Sequence, residues 1–207
     1  MEIDEMILKL QNRDSNILGS ESASKFAILL PLIEINGCAH VLFEVRAHDL
    51  RRQPGEICFP GGKIEETDIN ECDTAIRETI EELGVQRESI QNVIPLDYIP
   101  SFFGSIMYPF VGVLKDYEQI NYNLSEVAEV FTVPLSYFQD TPPDSYTISF
   151  NVEPEQGFPF HLINNGENYN WQTREVREYF YFYKDKVIWG LTARILKHFM
   201  DITGKDV

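Results

Sequence analysis

The order of elements predicted along the chain indicates an α/β (α+β) fold. Two apolar runs joined by Asn36-Gly37 predict a β-hairpin, because Asn-Gly fits a tight type I′ turn. A glycine-containing loop is then followed by residues 73–83, whose apolar positions recur with helical spacing. A last apolar segment at 188–202 predicts a closing helix. Strands and helices in this order are typical of layered α/β proteins.

The N-terminal region predicts a short helix and a linker before the main domain. Residues 3–11 have the spacing of an amphipathic helix, whereas residues 12–24 are rich in Ser and Asn. A chain of 207 residues with 43% hydrophobic content can bury one sizeable core. We therefore assign residues 1–24 to the helix and linker and residues 25–203 to a single domain.

The first half of the domain contains the clearest local signals. The hairpin strands are assigned to residues 25–35 and 38–46, and a loop covers 59–71. The helix at 73–83 ends at Gly84, which is a common C-terminal cap. Residues 92–100 and 107–114 predict two further strands.

The second half is less regular. Segments 146–152, 158–163 and 179–183 predict strands that follow a proline-rich connection at 141–143. Three aromatic residues in this half are expected in the core, where such side chains are commonly found: Phe180, Phe182 and Trp189.

Charge and cysteine content exclude several classes of function. The formal net charge is −16, from 33 acidic and 17 basic residues, and a field of this sign disfavours nonspecific binding to nucleic acid or to an anionic membrane. The three cysteines have no Cys-x-x-Cys spacing and are interpreted as buried small residues rather than disulfide or zinc ligands: Cys38, Cys58 and Cys72. No histidine lies in a His-Glu-x-x-His pattern.

The sequence predicts no secretory or membrane segment. The acidic N-terminus lacks the basic start and apolar run of a signal peptide. The longest apolar run, residues 27–35, is too short to span a bilayer. The last residues are not a peroxisomal address of the Ser-Lys-Leu type. A cytoplasmic location is the expectation.

The helix at 73–83 has an apolar side and an acidic side. At 100° per residue the apolar set is Ile76, Ile80 and Leu83, and the acidic set on the opposite side is Glu78, Glu81 and Glu82. Repulsion within the acidic set costs roughly 0.2–0.5 kcal/mol per pair. A divalent cation would make the interaction attractive, because carboxylate oxygens are ligands that Mg²⁺ prefers. The alternative is a solvated acidic face.

These residues carry a family resemblance. Residues 77–85 read Arg-Glu-Thr-Ile-Glu-Glu-Leu-Gly-Val, and Gly61-Gly62 precede them by some fourteen residues. The pattern resembles the signature of the Nudix hydrolases, which use metal to hydrolyse nucleoside diphosphates linked to another moiety. The resemblance implies the Nudix fold, a mixed β-sheet sandwiched between helices.

Two positions depart from the usual signature. Thr79 stands where an aliphatic residue is common, and its methyl group can still meet the edge of the core. Ile69 stands where a glutamate is usual, and the gap between Gly62 and Arg77 is one residue longer than the common form. We infer a one-residue loop insertion, which leaves the identity of the outlying loop carboxylate open. The residues that flank Ile69 are Asp68, Asn70 and Glu71.

The segment upstream narrows the resemblance. Residues 42–47 (Leu-Phe-Glu-Val-Arg-Ala), then Arg51, Gly55 and Phe-Pro-Gly-Gly at 59–62, resemble the extra motif of coenzyme A pyrophosphatases in the Nudix superfamily. The inserted loop residue is typical of that group, and residues 188–193 look similar to one of its segments. Glu44 stands where the motif usually has threonine; because it alternates with Phe43 and Val45 on a strand, we interpret it as peripheral.

The resemblance implies hydrolysis of the pyrophosphate bond of coenzyme A or its derivatives to 3′,5′-ADP and 4′-phosphopantetheine. It implies that Mg²⁺ or Mn²⁺ is held by three side chains of the helix: Glu78, Glu81 and Glu82. Arg77 would pair with a loop carboxylate and orient the cluster, and Gly61 and Gly62 would let the backbone turn tightly beside it.

The general base is left open. Glu81 or Glu82 could deprotonate the attacking water, and Glu126 or Glu129 from a distal loop is a further possibility. The alternative for the latter pair is the outward face of a helical turn.

Positive charge for the phosphates is predicted upstream of the Gly-Gly turn. Arg46 and Arg51 are the candidates, because a guanidinium can grip phosphate through two hydrogen bonds, whereas Arg52 is interpreted as a surface residue. Some aromatic side chains between Ser101 and Tyr108 could stack on adenine.

Two alternatives remain at this point. One is a Nudix pyrophosphatase of another nucleoside diphosphate derivative, such as ADP-ribose, NADH or capped RNA. The other is a noncatalytic nucleotide-binding sensor on the same fold. The expected partner is a small-molecule nucleotide substrate, coenzyme A, without a nucleic-acid or membrane partner. A homodimer is possible.

Overall fold

The computed structural model describes residues 3–11, 13, 17–101 and 104–204. The helices are α1 (Ile3–Gln11), α2 (Glu71–Leu83), α3 (Leu135–Asp140) and α4 (Gly190–Thr203). The strands are β1 (Ser24–Ile35), β2 (Cys38–Arg46), β3 (Ile57–Cys58), β4 (Gly61–Lys63), β5 (Ile90–Pro95), β6 (Ile99–Pro100), β7 (Ser105–Leu114), β8 (Val127–Pro134), β9 (Asp144–Phe150), β10 (Arg174–Tyr183) and β11 (Lys186–Trp189). Short 3₁₀ helices occupy Arg87–Ser89, Tyr117–Gln119, Phe160–Leu162 and Gly166–Asn168.

The larger sheet is mixed. Its main path runs β3-β2-β1-β7-β5, with β4 paired to β1, β6 to β7 and β8 to β2. β1 and β7 are parallel, with Ser24 opposite Ser105 and Leu32 opposite Val113, and the other pairs are antiparallel. The sheet is mixed and flanked by helices, as predicted.

The core fills both faces of this sheet. On one face, α2 packs against the sheet through buried side chains that include Leu29, Leu42 and Leu83. On the other face, Leu30 and Phe43 join side chains of α3, α4, β10 and β11. Successive residues of a strand point to opposite faces, so Leu29 and Leu30 enter different core clusters. Both faces of β1 and β2 are therefore covered.

A second sheet has the order β11-β10-β9. One of its faces packs on the core through Tyr181 and Ile188. The other is an exposed apolar face, which we define by Tyr146, Ile148, Phe182, Val187 and Trp189, each between 42% and 58% exposed. Phe180, Phe182 and Trp189 were predicted in the core. This was wrong for Phe182 and Trp189, which alternate with the buried Tyr181 and Ile188, whereas Phe180 is half-buried.

Several predicted elements are confirmed. α1 has its predicted bounds, and the β1–β2 hairpin turns at Asn36 and Gly37, which both have positive φ (51° and 76°). Gly84 caps α2 in the left-handed conformation. The division of the chain at residue 25 stays a prediction. Phe102 and Phe103, two of the aromatic residues predicted to stack on adenine, lie outside the described residues.

Other predicted elements were wrong. Residues 158–163 contain a 3₁₀ helix, Phe160–Leu162, and no strand; it follows Pro159, which cannot donate to a ladder. The closing helix begins at Gly190, because residues 188 and 189 pair with β10 as part of β11. α3 was missed. Most of the segment 125–131, for which an outward helical turn was the alternative, belongs to strand β8.

Within the described ranges, no helix is long and apolar enough to cross a membrane.

Candidate active site

The site is built on α2 and on the loop before it. The Asn70 side chain begins the helix by accepting a hydrogen bond from the Asp73 N–H, at 3.0 Å. Gly84 ends it with φ 65°, and a Cβ at this residue would lie 2.0 Å from the Asn121 carbonyl oxygen. The predicted apolar side chains of α2, which include Ile76, all lie in the core cluster on this face of the sheet.

Arg77 holds the loop against the helix. Its Nε and Nη2 donate to the two carboxylate oxygens of Asp68 at 2.9 and 3.0 Å, and its Nη1 reaches Glu78 at 2.9 Å and Glu81 at 3.2 Å. The Asp68 side chain is only 3% exposed, whereas Ile69 is 85% exposed. Hydrogen bonding from Arg77 holds the pKa of Asp68 well below its ordinary value. Asp68 is therefore the loop carboxylate that pairs with Arg77, whose identity the sequence left open.

Glu82 is buried beneath the Gly-Gly segment. It is 4% exposed, and its Oε2 accepts a hydrogen bond from the Gly61 N–H at 2.8 Å. Burial, and then the negative charge of Glu44, raises the pKa of Glu82 to about 9. Glu78 is 15% exposed and Glu81 53%. The predicted acidic face is thus graded from buried to exposed and is not a single solvated surface.

Gly62 permits the carboxylate of Glu78 to lie against the loop. A Cβ on Gly62 would be 2.2 Å from Glu78 Oε1, and Gly62 itself is fixed opposite Ala27 in the pairing of β4 with β1. A side chain at this residue would displace the Glu78 carboxylate from its position against the loop. The sequence predicted a tight turn as the reason for a glycine here. In the structure Gly62 lies in a strand pair, and the feature that its missing side chain allows is the approach of Glu78.

Glu44 was missed by the sequence analysis, which treated it as peripheral. It is 1% exposed, because strand alternation on β2 turns it to the face that α2 covers. Its Oε1 accepts a hydrogen bond from the Cys58 thiol at 3.2 Å, and its Oε2 has no partner among the described residues. Burial raises the pKa of Glu44 to about 7, against the opposing effects of the Cys58 hydrogen bond and the Arg46 charge. The sequence did contain a signal for the burial of Glu44, because a glutamate is unusual in a strand that is buried on both faces.

The cysteine prediction was correct only in part. Cys38 is exposed, and Cys58 and Cys72 are half-buried; all are free thiols.

The two distal glutamates differ in their surroundings. The negative charge of Glu126 acts on Glu44, Glu78 and Glu82, so Glu126 lies near the carboxylates of the site. Glu129 forms an ion pair with Lys186 Nζ at 2.6 Å. Of these two base candidates, the structure brings Glu126 to the site.

A cavity of about 540 Å³ opens beside the carboxylates. Gly61 and Gly62 form part of its wall, and Phe26, Ile28 and Met107 give it an apolar side. Residues 189–192, from the C-terminal segment that resembles one in coenzyme A pyrophosphatases, also line it, and the Thr192 hydroxyl anchors α4 by donating to the Ile57 carbonyl at 3.0 Å.

Two arginines reach this cavity. Arg46 and Arg52 lie in its wall, and the Nε of Arg46 is buried without a hydrogen-bond partner in the described part of the chain. Arg51 is exposed and is not part of the described wall. The sequence predicted Arg51 as a phosphate ligand and Arg52 as a surface residue. The structure instead places Arg52 in the wall of the cavity.

The donor set suits a hard divalent cation. Glu44, Glu78 and Glu82 are carboxylates largely withdrawn from water, and one oxygen of Glu44 is unpartnered among the described residues. As they stand, no three His, Cys, Asp or Glu side chains within residues 3–11, 13, 17–101 and 104–204 are arranged to hold a metal ion. Glu78 is turned to Arg77 and Glu82 to Gly61.

The raised pKa values of Glu44 and Glu82 predict that the metal-free protein loses stability as the pH rises. Unfolding returns each carboxyl to its ordinary pKa of 4.5, so between that pH and about 9 the folded state binds more protons. The free energy of unfolding must then fall as the pH increases through this window. Asp68, whose pKa is lowered, affects the pH dependence of stability only in acid, below its ordinary pKa of 3.8.

Urea unfolding in EDTA across this pH window checks the expectation. Glu82→Gln removes one of the two groups, so its midpoint should vary less with pH than that of the wild-type protein. Equal slopes for the two proteins would show that Glu82 titrates normally.

Comparison with known proteins adds to this geometry. Residues 32–156 match the family model of the NUDIX domain. A mouse protein, peroxisomal coenzyme A diphosphatase NUDT7, is 39% identical over 139 residues, which are 66% of this chain and 58% of the mouse protein's own length. An uncharacterized Nudix hydrolase, NudL, of Photorhabdus laumondii is 30% identical over 177 residues, 86% of this chain and 83% of the relative.

A solved structure shares the fold. The crystal structure of a MutT/nudix family protein from Enterococcus faecalis superposes with a TM-score of 0.51 and 15% identity, covering 99% of this chain and 71% of that one. The family model covers more than half of the chain and includes the Gly-Gly segment and all of α2. The chain belongs to the Nudix family.

Proposed function

We propose that the protein hydrolyses the pyrophosphate bond of coenzyme A or its derivatives, with Mg²⁺ or Mn²⁺, to 3′,5′-ADP and 4′-phosphopantetheine or its acyl form. The observation that carries the proposal is the contact of both Glu78 and Glu82 with the Gly61-Gly62 backbone where it lines the cavity. A diphosphate in the cavity would lie beside carboxylates already fixed by the fold.

Hydrolysis of a diphosphate needs charge neutralisation and an oriented water more than covalent chemistry. Glu78, Glu81 and Glu82 would hold the cation, which supplies positive charge to the phosphates and acidity to a bound water. Arg77 lies behind these carboxylates, where its pairing with Asp68 fixes their positions. Its guanidinium is therefore a positioning group and not a substrate ligand.

The phosphates need cationic partners from the protein as well. Arg46 and Arg52 are the guanidinium groups on the described cavity wall, and the buried Nε of Arg46 is a donor without a partner there. Such donors bind phosphate oxygens strongly. Arg51 stays a prediction from the motif alone.

A carboxylate must take the proton of the attacking water as the new P–O bond forms and the bridging P–O bond breaks. Glu81 and Glu82 on α2, and Glu126 immediately before β8, are the candidates. Glu129 is less suitable, because its carboxylate is already paired with Lys186.

The preference for coenzyme A rests on three supports. The motif at residues 42–62 resembles that of coenzyme A pyrophosphatases, and the mouse relative is named a coenzyme A diphosphatase. The apolar side of the cavity, formed by Phe26, Ile28 and Met107, would suit the pantetheine arm better than a second nucleotide.

The compartment and the assembly are also proposals. The sequence predicts cytoplasm, whereas the name of the mouse relative includes the word peroxisomal. A homodimer stays a possibility.

Product analysis tests the function. The purified protein is incubated with Mg²⁺ or Mn²⁺ and coenzyme A, an acyl-coenzyme A, ADP-ribose, NADH or capped RNA, and the products are separated by chromatography and identified by mass spectrometry. We expect metal-dependent release of 3′,5′-ADP, and an ¹⁸O-water reaction identifies the phosphorus that is attacked.

The other outcomes separate the alternatives. If coenzyme A stays intact while another diphosphate is cleaved, the metal-site proposal stands and the substrate proposal fails. If nothing is cleaved but a nucleotide binds tightly, the noncatalytic sensor is the better description.

A further inference from the structure

Glu44 lies in an environment that disfavours its charge. Its side chain is 1% exposed on β2, between α2 on one side and the sheet on the other. Cys58, directly opposite in β3, donates a hydrogen bond to one carboxylate oxygen, and the other oxygen is buried without a partner among the described residues. Burial of an unpartnered carboxylate oxygen costs free energy of folding.

The charges around Glu44 increase this cost. Glu78, Glu82 and Glu126 all act on it as like charges, and Glu44 is the charged group with the largest effect on Glu82. Arg46 is the one cation among the groups that act on Glu44, and it lies on the same strand two residues away. Within the described residues, three other carboxylates therefore act on Glu44 against the one opposing cation, Arg46, although no three of these side chains are yet arranged as metal ligands.

Glu44 and Glu82 also flank the same small side chain. The Cys58 thiol is bonded to Glu44 and feels the charge of Glu82 as well. Glu82 in turn is tied to Gly61, three residues after Cys58. The short segment from β3 to β4 therefore brings a carboxylate of β2 and a carboxylate of α2 to the same place.

We propose that Glu44 is a further part of the divalent-cation site, and that its free carboxylate oxygen contributes to cation binding together with Glu82. This inference rests on the proposed metal-dependent function. A bound cation supplies the positive charge that this group of carboxylates lacks. The threonine usual at this position of the motif carries no charge, so the contribution belongs to this chain and is not part of the family signature.

Mn²⁺ binding measured by calorimetry, and by the loss of the free Mn²⁺ electron paramagnetic resonance signal, tests the inference without a substrate. Glu44→Gln keeps an oxygen that can accept from Cys58 but removes the charge. We expect it to bind Mn²⁺ at least about tenfold more weakly than the wild-type protein. Glu34→Gln removes a charge from an exposed position of the neighbouring strand β1 and should bind Mn²⁺ as the wild type does.

Stability gives an independent readout. In EDTA, Glu44→Gln should melt at the same temperature as the wild-type protein or higher, because a buried repulsive charge is gone. Addition of Mn²⁺ should then raise the melting temperature of the wild type more than that of the variant. Glu44→Thr, which introduces the usual residue of the motif, is a second variant with the same expected loss of Mn²⁺ affinity.

The outcomes distinguish this inference from the function on which it rests. If the wild type binds Mn²⁺ and hydrolyses a diphosphate while both Glu44 variants bind Mn²⁺ with unchanged affinity, Glu44 is not part of the cation site and the proposed function stands. If the wild type neither binds Mn²⁺ nor hydrolyses a diphosphate, the proposed function fails and this inference fails with it.

Discussion

Replacement of Glu82 by glutamine is expected to lower kcat/KM for the diphosphate substrate by about 10³-fold, or about 4 kcal/mol in the activation barrier. The amide keeps an oxygen that can accept the hydrogen bond from the Gly61 N–H, so the loop should stay in place. What is lost is the negative charge that would hold the cation or accept the proton of water. Steady-state kinetics with coenzyme A and Mn²⁺ measure the effect.

Two controls make this result specific. The Glu34→Gln protein should retain wild-type kinetics, because Glu34 is exposed on β1 and outside the candidate site. The melting temperature of Glu82→Gln in EDTA should not fall at neutral pH, because the raised pKa of about 9 keeps the metal-free Glu82 protonated there and glutamine has a similar shape. A fully active Glu82→Gln protein would exclude Glu82 both as the base and as an essential metal ligand.

Replacement of Gly84 by alanine is expected to lower the free energy of unfolding by about 3 kcal/mol. Two costs add at this position. The residue has φ 65°, which strains a side chain with a Cβ, and that Cβ would lie 2.0 Å from the backbone oxygen of Asn121. Backbone cannot yield as a flexible side chain does. For a protein of this size, the melting temperature should fall by about 10 °C.

Gly37→Ala is the matched control. Gly37 also has positive φ, at 76°, but a Cβ there would meet no heavy atom within 4 Å. Only the conformational strain applies, and it amounts to about 1 kcal/mol. Melting curves and urea unfolding of the two variants separate the terms. If the two glycines cost the same, the close approach of Asn121 contributes nothing to the stability of the end of α2.

The parts of the fold that the sequence predicted are those set by local chemistry. The β1–β2 hairpin follows from Asn36-Gly37 between two apolar runs, and α2 follows from its apolar spacing and its glycine cap. These signals act within a few residues of one another. They need no knowledge of the rest of the chain.

The errors come from residues whose environment is made by distant segments. Ile188 and Trp189 have helical neighbours in sequence, but pairing with β10 makes them a strand. Phe182 is apolar yet exposed, because the second sheet has only one covered face. Strand pairing over long separations overrides local preference in such cases.

The candidate site divides in the same way. The signature predicted the identity of Glu78, Glu81 and Glu82, but it gave no indication that Glu82 is buried under Gly61 while Glu81 is largely in solvent. Glu44 was missed because alternation along a strand indicates a face of the sheet and not whether that face is covered. Coverage depends on where α2 packs.

The contacts that hold the loop before α2 to the helix include two that are far apart along the loop: a first, the hydrogen bond from Gly61 to Glu82, and a second, the ion pair of Asp68 with Arg77. Ile69 lies just outside the second of these contacts and is 85% exposed. A residue gained or lost at such a place changes the length of the chain in solvent and leaves the carboxylates where they are. One residue more between Gly62 and Arg77 than in the common signature is therefore compatible with an unchanged arrangement of the carboxylates.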